Sequence, residues 1–323
     1  MKKETSLSIL TEKDVLILKK LFEDGRKSSA SISKEIDLGR EIVNYRIKRL
    51  IKKNLIVKFI PKINEKSINY KEYVILLKLN LDDKISKEKF IKEEIGNKYL
   101  IWMVKSNSGW DLIVRLYASS IEEFQIKLNE ILDKYSNVLA RYYTIISSDE
   151  IKESEKEVLS KAIFKEEMEQ DKDFSIIKNE NIIQLSDKDR EIINLLEEDG
   201  RTQYKDIAKK INVSSDTVKY RIEKMKEQGI IENFLPVINF NQLGLIYYAA
   251  IIKFSFLNTD EEINFTNKIN KASCIIKAIK SLNSNEFFLT LVFKTQDEIS
   301  NFKKIFLKEF EERVESLELF KID

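Results

Sequence analysis

Pro61 in FIPKIN and Pro236 in FLPVIN, the two prolines of the chain, lie 175 residues apart. At that offset, with no gap, Leu10 falls on Leu185, Asp24-Gly25-Arg26 on Asp199-Gly200-Arg201, Val43 on Val218 and Tyr45-Arg46-Ile47 on Tyr220-Arg221-Ile222. Self-similarity at a fixed period means that one structural unit occurs twice. Whatever the first half folds into, the second half must build as well. The 323 residues then leave room for two small domains in each copy.

Each copy opens with helical spacing. Thr11-Glu12-Lys13-Asp14 and Ser186-Asp187-Lys188-Asp189 have the form of capping boxes, with acids in the first turn. Leu10, Ile17, Leu18 and Leu21, and likewise Leu185, Ile192, Ile193 and Leu196, share one helical face. Gly25 and Gly200 are expected to end these helices in left-handed geometry. A second short helix (28–36 and 202–211) and a tight turn lead to a third, Gly39 to Lys53 and Ser214 to Gln228. That helix is buried through Val43, Ile47 and Leu50, or Val218, Ile222 and Met225, and Asn54 and Gly229 suit a left-handed stop. LIVKFIPKIN and IIENFLPVIN read as an edge strand or small wing.

The rest of each copy has the order βαββαβ. In the first copy strands are expected at 73–81, 100–106, 111–117 and 138–147, with helices at 86–96 and 121–135. In the second, strands are expected at 247–256, 274–281, 287–293 and 314–322, with helices at 260–270 and 296–310. The expected fold class is α+β: two tandem copies of a winged helix-turn-helix followed by a βαββαβ ferredoxin-like domain. The domains span 1–65, 66–149, 185–240 and 241–323, with a Glu- and Lys-rich connector at 150–184 that is either partly helical or a solvated tether.

Composition narrows the chemistry. With no histidine, a Ser-His-Asp triad, a Cys-His dyad, an HExxH site and imidazole ligation of zinc or haem are all excluded. Cys274 is the one cysteine, so intrachain disulfides and CxxC motifs are impossible. MKKETSLSIL has no long apolar run of the secretory kind, and the uncharged stretch Phe234 to Ile252 carries Pro236, Asn239, Asn241, Gln242 and Gly244, which a lipid-spanning helix would have to desolvate. Expected, therefore, is a cytoplasmic protein with no membrane partner, no catalytic residues, no metal and no cofactor.

A net charge of +2 is too balanced for a general polycation, so any basic surface must be local. Residues 26–62 hold eleven Lys and Arg against three acids, a local +8, whereas 201–237 hold eight against five, a local +3. Three helices with a tight turn before the last are the parts of a helix-turn-helix, whose final helix enters the major groove of double-stranded DNA. On the third helix Arg40, Glu41, Asn44, Tyr45 and Lys48 lie off the buried face, and their counterparts are Ser215, Asp216, Lys219, Tyr220 and Glu223. Arg and Asn suit bidentate contacts with base edges, and Tyr and Lys suit backbone contacts. The alternative for each is a solvated helix surface. Arg46 and Arg221 are candidates for a packing or phosphate role.

These residues resemble the Lrp/AsnC (feast/famine) transcription regulators. The resemblance rests on both Asp-Gly-Arg corners, on VNYRIKRL and VKYRIEKM, on the two proline-containing runs after them and on the βαββαβ order behind those. It implies a winged helix-turn-helix joined to an effector and dimerisation domain, here duplicated so that one polypeptide forms a pseudo-dimer. It also implies amino-acid effectors and self-association through the sheets. The family's glycine-containing turn matches Ser108, Gly109, Trp110 and Asp111, whereas Asn283 to Phe287 lacks the glycine. In the first copy that turn is either an effector site or a structural hairpin. Sirohaem decarboxylases resemble the same plan, but their chemistry is expected to draw on histidine. A non-specific chromatin-architectural DNA binder is the other alternative.

Overall fold

The computed structural model describes residues 10–80, 102–106, 109–134, 136–153, 182–283, 285–306 and 308–322. The first copy runs α1 (Glu12–Glu23), α2 (Ser29–Glu35), α3 (Arg40–Lys52), β1 (Ile56–Ile63), β2 (Lys71–Leu79), β3 (Trp102–Lys105), β4 (Leu112–Ala118), α4 (Ile121–Lys134) and β5 (Leu139–Glu153). The second runs α5 (Asp187–Glu198), α6 (Tyr204–Ile211), α7 (Ser215–Glu227), β6 (Ile231–Ile238), β7 (Ile246–Phe254), α8 (Thr259–Lys271), β8 (Ile275–Ser281), β9 (Glu286–Phe293), α9 (Gln296–Asn301) and β10 (Val314–Ile322). The helix expected at 86–96, Ser108 and most of the connector lie outside the described residues.

The elements gather into two units that each draw on both copies. One holds α1 to α3, β1, α5 to α7 and β6, and the other holds the two βαββαβ segments. The unit boundaries fall at Asn69/Tyr70 and Gly244/Leu245, four residues later than expected, because short 3-10 turns at Lys66–Ile68 and Phe240–Leu243 stay with the first unit.

In the winged-helix unit both capping boxes form. Thr11 and Ser186 accept from the amides of Asp14 and Asp189, whose carboxylates accept from the cap amides in return. The turn before the third helix passes through the left-handed region at Asp37 and Asn212, residue types that tolerate it, and Asn54 and Gly229 take the same geometry after that helix. β1 pairs antiparallel with β6, Ile60 facing Leu235. Those two positions are equivalent under the 175-residue offset, so a pseudo-twofold axis passes between them. Pro61 and Pro236 are tolerated because a two-stranded ribbon consists of edges. The packing is crosswise: α1 lies against β6 and α5 against β1.

Gly25 and Gly200 correct the expectation of left-handed helix ends. Neither has a positive φ, and α1 and α5 end in extended geometry at Asp24 and Asp199. The glycines are there for close approach. A Cβ on Gly25 would stand 2.8 Å from the Phe234 carbonyl oxygen, and one on Gly200 would stand 3.0 Å from that of Phe59.

The sheet unit is a single eight-stranded sheet in the order β10-β7-β9-β8-β5-β2-β4-β3, antiparallel at every described pairing. Each half repeats the order of a split βαβ fold, and β5 joins β8 between them. Glu150 to Glu153, assigned from sequence to the connector, instead continue β5 and pair with β8. Helices cover one face in each copy, around Phe124 and Leu128 in the first and Phe265 and Ile269 in the second. The other faces share a core in which Val74, Leu76, Ile113 and Ile145 pack with Ala249, Ile251, Phe288 and Phe320. The second-copy helix expected at 296–310 is shorter: α9 gives way to a π turn at Phe302–Phe306 and a 3-10 turn at Lys308–Phe310. Among the described residues no helix is long and apolar enough to cross a membrane.

Candidate nucleic-acid interface

α3 and α7 bury equivalent apolar stripes, Val43, Ile47 and Leu50 against Val218, Ile222 and Met225, so their opposite faces turn outward in the same way. Tyr45 and Tyr220 are 66% and 64% exposed, which places both rings on the surface at matching positions. Arg40, Glu41 and Lys48 are exposed and Asn44 is half-buried beside them, while Ser215, Asp216, Lys219 and Glu223 are all exposed. Lys219 and Glu223 face each other at 4.0 Å, so the second face is partly self-neutralised.

Arg46 and Arg221 are turned inward. Arg46 donates to Thr11 Oγ1 at 2.8 Å and to Asp14 Oδ1 at 2.9 Å, and Arg49 reaches Asp14 Oδ2 at 2.5 Å. Arg221 makes the equivalent pair with Ser186 and Asp189. Burial would raise the Asp14 carboxyl, but the Thr11 and Arg46 hydrogen bonds and the Arg49 charge hold it below the ordinary range. The cap of the first helix therefore locks the third. Both guanidiniums are bound to the first helix of their own copy, to Asp14 and Asp189, rather than standing free on the face of the base-reading candidates.

The local +8 overstates the free charge. Lys27 pairs with Glu23 and Glu35, and Lys62 pairs with Glu232. Lys58 donates to the Glu197 carbonyl, and Arg26 donates to carbonyls of the second copy. Among the described residues, Arg40, Lys48 and Lys52 on α3, with Lys34 and Lys53 flanking it, are exposed and have no salt-bridge partner. Lys52 counts toward the basic stretch in the sequence but was not among the groove-facing candidates, although Arg40, Asn44, Lys48 and Lys52 recur at the four-residue spacing of one helix face.

At the turn before β4, Gly109 has φ 73°, the geometry that glycine permits. A Cβ there would meet the Phe320 ring at 2.9 Å. Trp110 is buried in the core shared by the two copies and lies under the Arg141 guanidinium. Asp111 Oδ2 accepts from the Leu79 amide at 2.9 Å and pairs with Lys78 at 3.1 Å. Glu286, the counterpart of Asp111, pairs with Lys253, the counterpart of Lys78. An acid and lysine pair is thus common to both copies. Glycine suits the first because both its positive φ and the nearby Phe320 ring disfavour a Cβ there.

A family model described as winged helix-turn-helix DNA-binding matches residues 10–57 and again 185–232. An HTH-type transcriptional regulator of Pyrococcus abyssi is 30% identical over 149 residues, 45% of this chain and 97% of that protein. One from Pyrococcus furiosus is 42% identical over 69 residues, 21% of this chain and 47% of that protein, so this match spans about half of the relative's length. Among solved structures, that of the siroheme decarboxylase NirDL superposes with a TM-score of 0.58 at 12% identity, covering 96% of this chain and 90% of that one, a likeness of fold alone. With the winged helix matched twice and a relative covered almost end to end, the chain belongs to the HTH-type transcriptional regulators, with the winged helix present in two tandem copies.

Proposed function

We propose that the chain regulates transcription by placing α3 and α7 in the major groove of two unequal half-sites, about 34 Å or a multiple apart. The observation that carries this is the division of labour on α3. Arg46 and Arg49 fix the helix to α1 from inside, while Arg40, Asn44, Tyr45, Lys48 and Lys52 are left on the outside. Arg40 and Asn44 are the base-reading candidates, and the lysines suit phosphates. On α7, Ser215, Asp216, Lys219, Tyr220 and Glu223 offer a less basic surface to the second half-site.

Binding-site sequencing on genomic DNA tests the proposal. Discrete, imperfect palindromes are expected, and uniform coverage would indicate an architectural protein instead. Affinity should fall with salt by roughly 0.9 log units per log unit for each neutralised phosphate. The five free cations around α3, rather than the local +8, set that copy's contribution.

The amino-acid effector implied by the family resemblance is a further part of this reading. At Ser108, Gly109, Trp110 and Asp111 the α-ammonium group would have to take the place of Lys78 on Asp111. Calorimetry with a panel of amino acids checks this: Lys78→Met should tighten binding and Asp111→Asn abolish it. Binding that ignores both changes lies elsewhere.

A further inference from the structure

The triplets Asp24-Gly25-Arg26 and Asp199-Gly200-Arg201 recur in both copies but lie off the outward faces of α3 and α7, and their glycines and arginines hold one winged helix to the other. Asp24 and Asp199 accept from the amides of Arg26 and Arg201, which fixes the corner. The Gly25 amide donates to the Phe234 carbonyl and the Gly200 amide to that of Phe59, both at 2.6 Å. Arg26 then donates to the carbonyls of Gly200 at 2.6 Å and Thr202 at 3.0 Å. Arg201 answers with Gly25 at 2.6 Å and Lys27 at 3.3 Å. The guanidinium faces are covered as well, Arg26 lying against Tyr204 and Phe234 and Arg201 against Phe59. Two nitrogens of each guanidinium and at least one of its faces are thus engaged by the protein, which directs both arginines to the opposite winged helix.

These contacts lie on the path between the two recognition helices. α3 is tied to α1 through Asp14, α1 ends at the corner, the corner grips β6, and the same sequence runs back through Asp189, α5 and β1. The β1–β6 ribbon is the other crossing. A two-stranded ribbon is marginal by itself and twists strongly, while one base pair turns DNA by about 34°. We infer that Arg26 and Arg201 are positioning residues that fix the distance and helical phase between α3 and α7, and so set the half-site spacing that the chain accepts. The inference rests on the DNA-binding reading above for its consequence, though not for its geometry.

Two measurements on the full chain test it. First, spin labels are placed at Lys53→Cys and Gln228→Cys in a Cys274→Ala background. They should give one narrow distance distribution, and Arg26→Ala with Arg201→Ala should broaden it. This readout needs no DNA, so it separates failure of the inference from failure of the DNA-binding reading. Second, unlabelled protein is titrated with selected duplexes whose half-site spacing changes in single-base-pair steps. The unsubstituted chain should prefer one spacing by roughly tenfold or more, and the double alanine variant should accept the series within about twofold while binding an isolated half-site as before.

Lysine replacements decide between positioning and phosphate contact, because lysine keeps the charge but is a point donor without the planar fork. Arg26→Lys with Arg201→Lys should relax the spacing preference as alanine does, and these variants serve if the alanine pair does not fold. An unbroadened distance distribution, an unchanged spacing preference, or full rescue by lysine with a shallower salt slope in the alanine variant would overturn the inference.

Discussion

The winged-helix unit and the sheet unit join the same two copies, the first by contacts made in both directions and the second, among the described residues, by a strand pairing from Ser147 to Glu153 on one side and the bridge from Ile322 to Ser106 on the other. In the winged-helix unit Gly25 answers Gly200, Arg26 answers Arg201, and the Asn64 amide on the Ile230 carbonyl answers the Asn239 amide on that of Leu55. In the sheet unit Ser147 faces Ser281 and its counterpart is the bridge from Ile322 to Ser106; among the described residues the first runs on through Glu150 and Lys152 to Glu153 opposite Lys277. That side encloses a charge cluster. Lys277 is buried between Glu72 at 2.9 Å, Glu150 at 2.8 Å and Glu153 at 3.1 Å, and Glu72 also pairs with Arg115. A homodimer interface must be self-complementary. Fusing the copies removes that constraint, and here the acids lie on one copy and the lysine on the other.

Removing the lysine should have the largest effect. Lys277→Met leaves the surrounding carboxylates without their shared cation, and breaking a buried ion pair from one side costs about 3–5 kcal/mol. Denaturant unfolding measures this. A loss under about 1 kcal/mol, a value typical of exposed ion pairs, would mean that the apolar core alone holds this seam.

Acid should act on the same side of the molecule. Burial would raise the Glu72 carboxyl, but the charges of Arg115 and Lys277 hold it at about 2 against an ordinary 4.5. A carboxyl depressed on folding stabilises the protein above its unfolded pKa, and that contribution is lost as pH falls through the folded value. The difference amounts to about 3 kcal/mol, present above pH ~4.5 and gone near pH ~2. Glu153 shifts in the same direction, the Lys277 charge being its main cause. Stability measured from pH 6 to 2 should fall steeply for the unsubstituted chain and less steeply for Glu72→Gln. Parallel curves would remove Glu72 from the acid response.

The reciprocal unit was the more legible of the two. Capping boxes, helix faces and the third-helix stops are local patterns, and each forms where the sequence places it. The Asp-Gly-Arg corner was visible as a repeat, but its purpose was not, because the carbonyls that Arg26 binds lie 174 and 176 residues away. Charge counting misled for a related reason: Arg26, Arg46, Arg49 and Lys58 are bound to the protein itself. The turn at Gly109 left an effector site and a structural hairpin both open because φ and composition are local, whereas the Phe320 ring that packs against it comes from the far end of the chain. The cluster around Lys277 had no signature at all, since its acids and base belong to different copies.

On DNA the comparison becomes one between α3 and α7. If Arg40 or Asn44 reads a base, replacement by alanine should cost about 1–3 kcal/mol on the preferred site and relax the preference there. Ser215→Ala and Lys219→Ala should cost less, because the second face carries fewer free cations and Lys219 already faces Glu223. Fluorescence titration of the four variants gives the order. A reversed order would make α7 the principal reader.

The smallest expected effect lies at the N-cap residues of those same helices. Ser214 caps α7 by accepting from the Thr217 amide at 3.0 Å, whereas Gly39 caps α3 with no side-chain bond. Gly39 has φ −58° and ψ 137°, a backbone that serine adopts freely, and a Cβ there would meet only the Ile42 side chain at 3.7 Å. Gly39→Ser should therefore stabilise the chain by a few tenths of a kcal/mol, roughly the difference between glycine and serine at a helix N-cap. Ser214→Gly should lose a similar amount, and the double exchange should come out near zero, since the two caps belong to different helices and share no partner. If Gly39→Ser destabilises the protein instead, the open N-terminus of α3 is held by something other than its cap, and the two copies differ there by more than one hydroxyl.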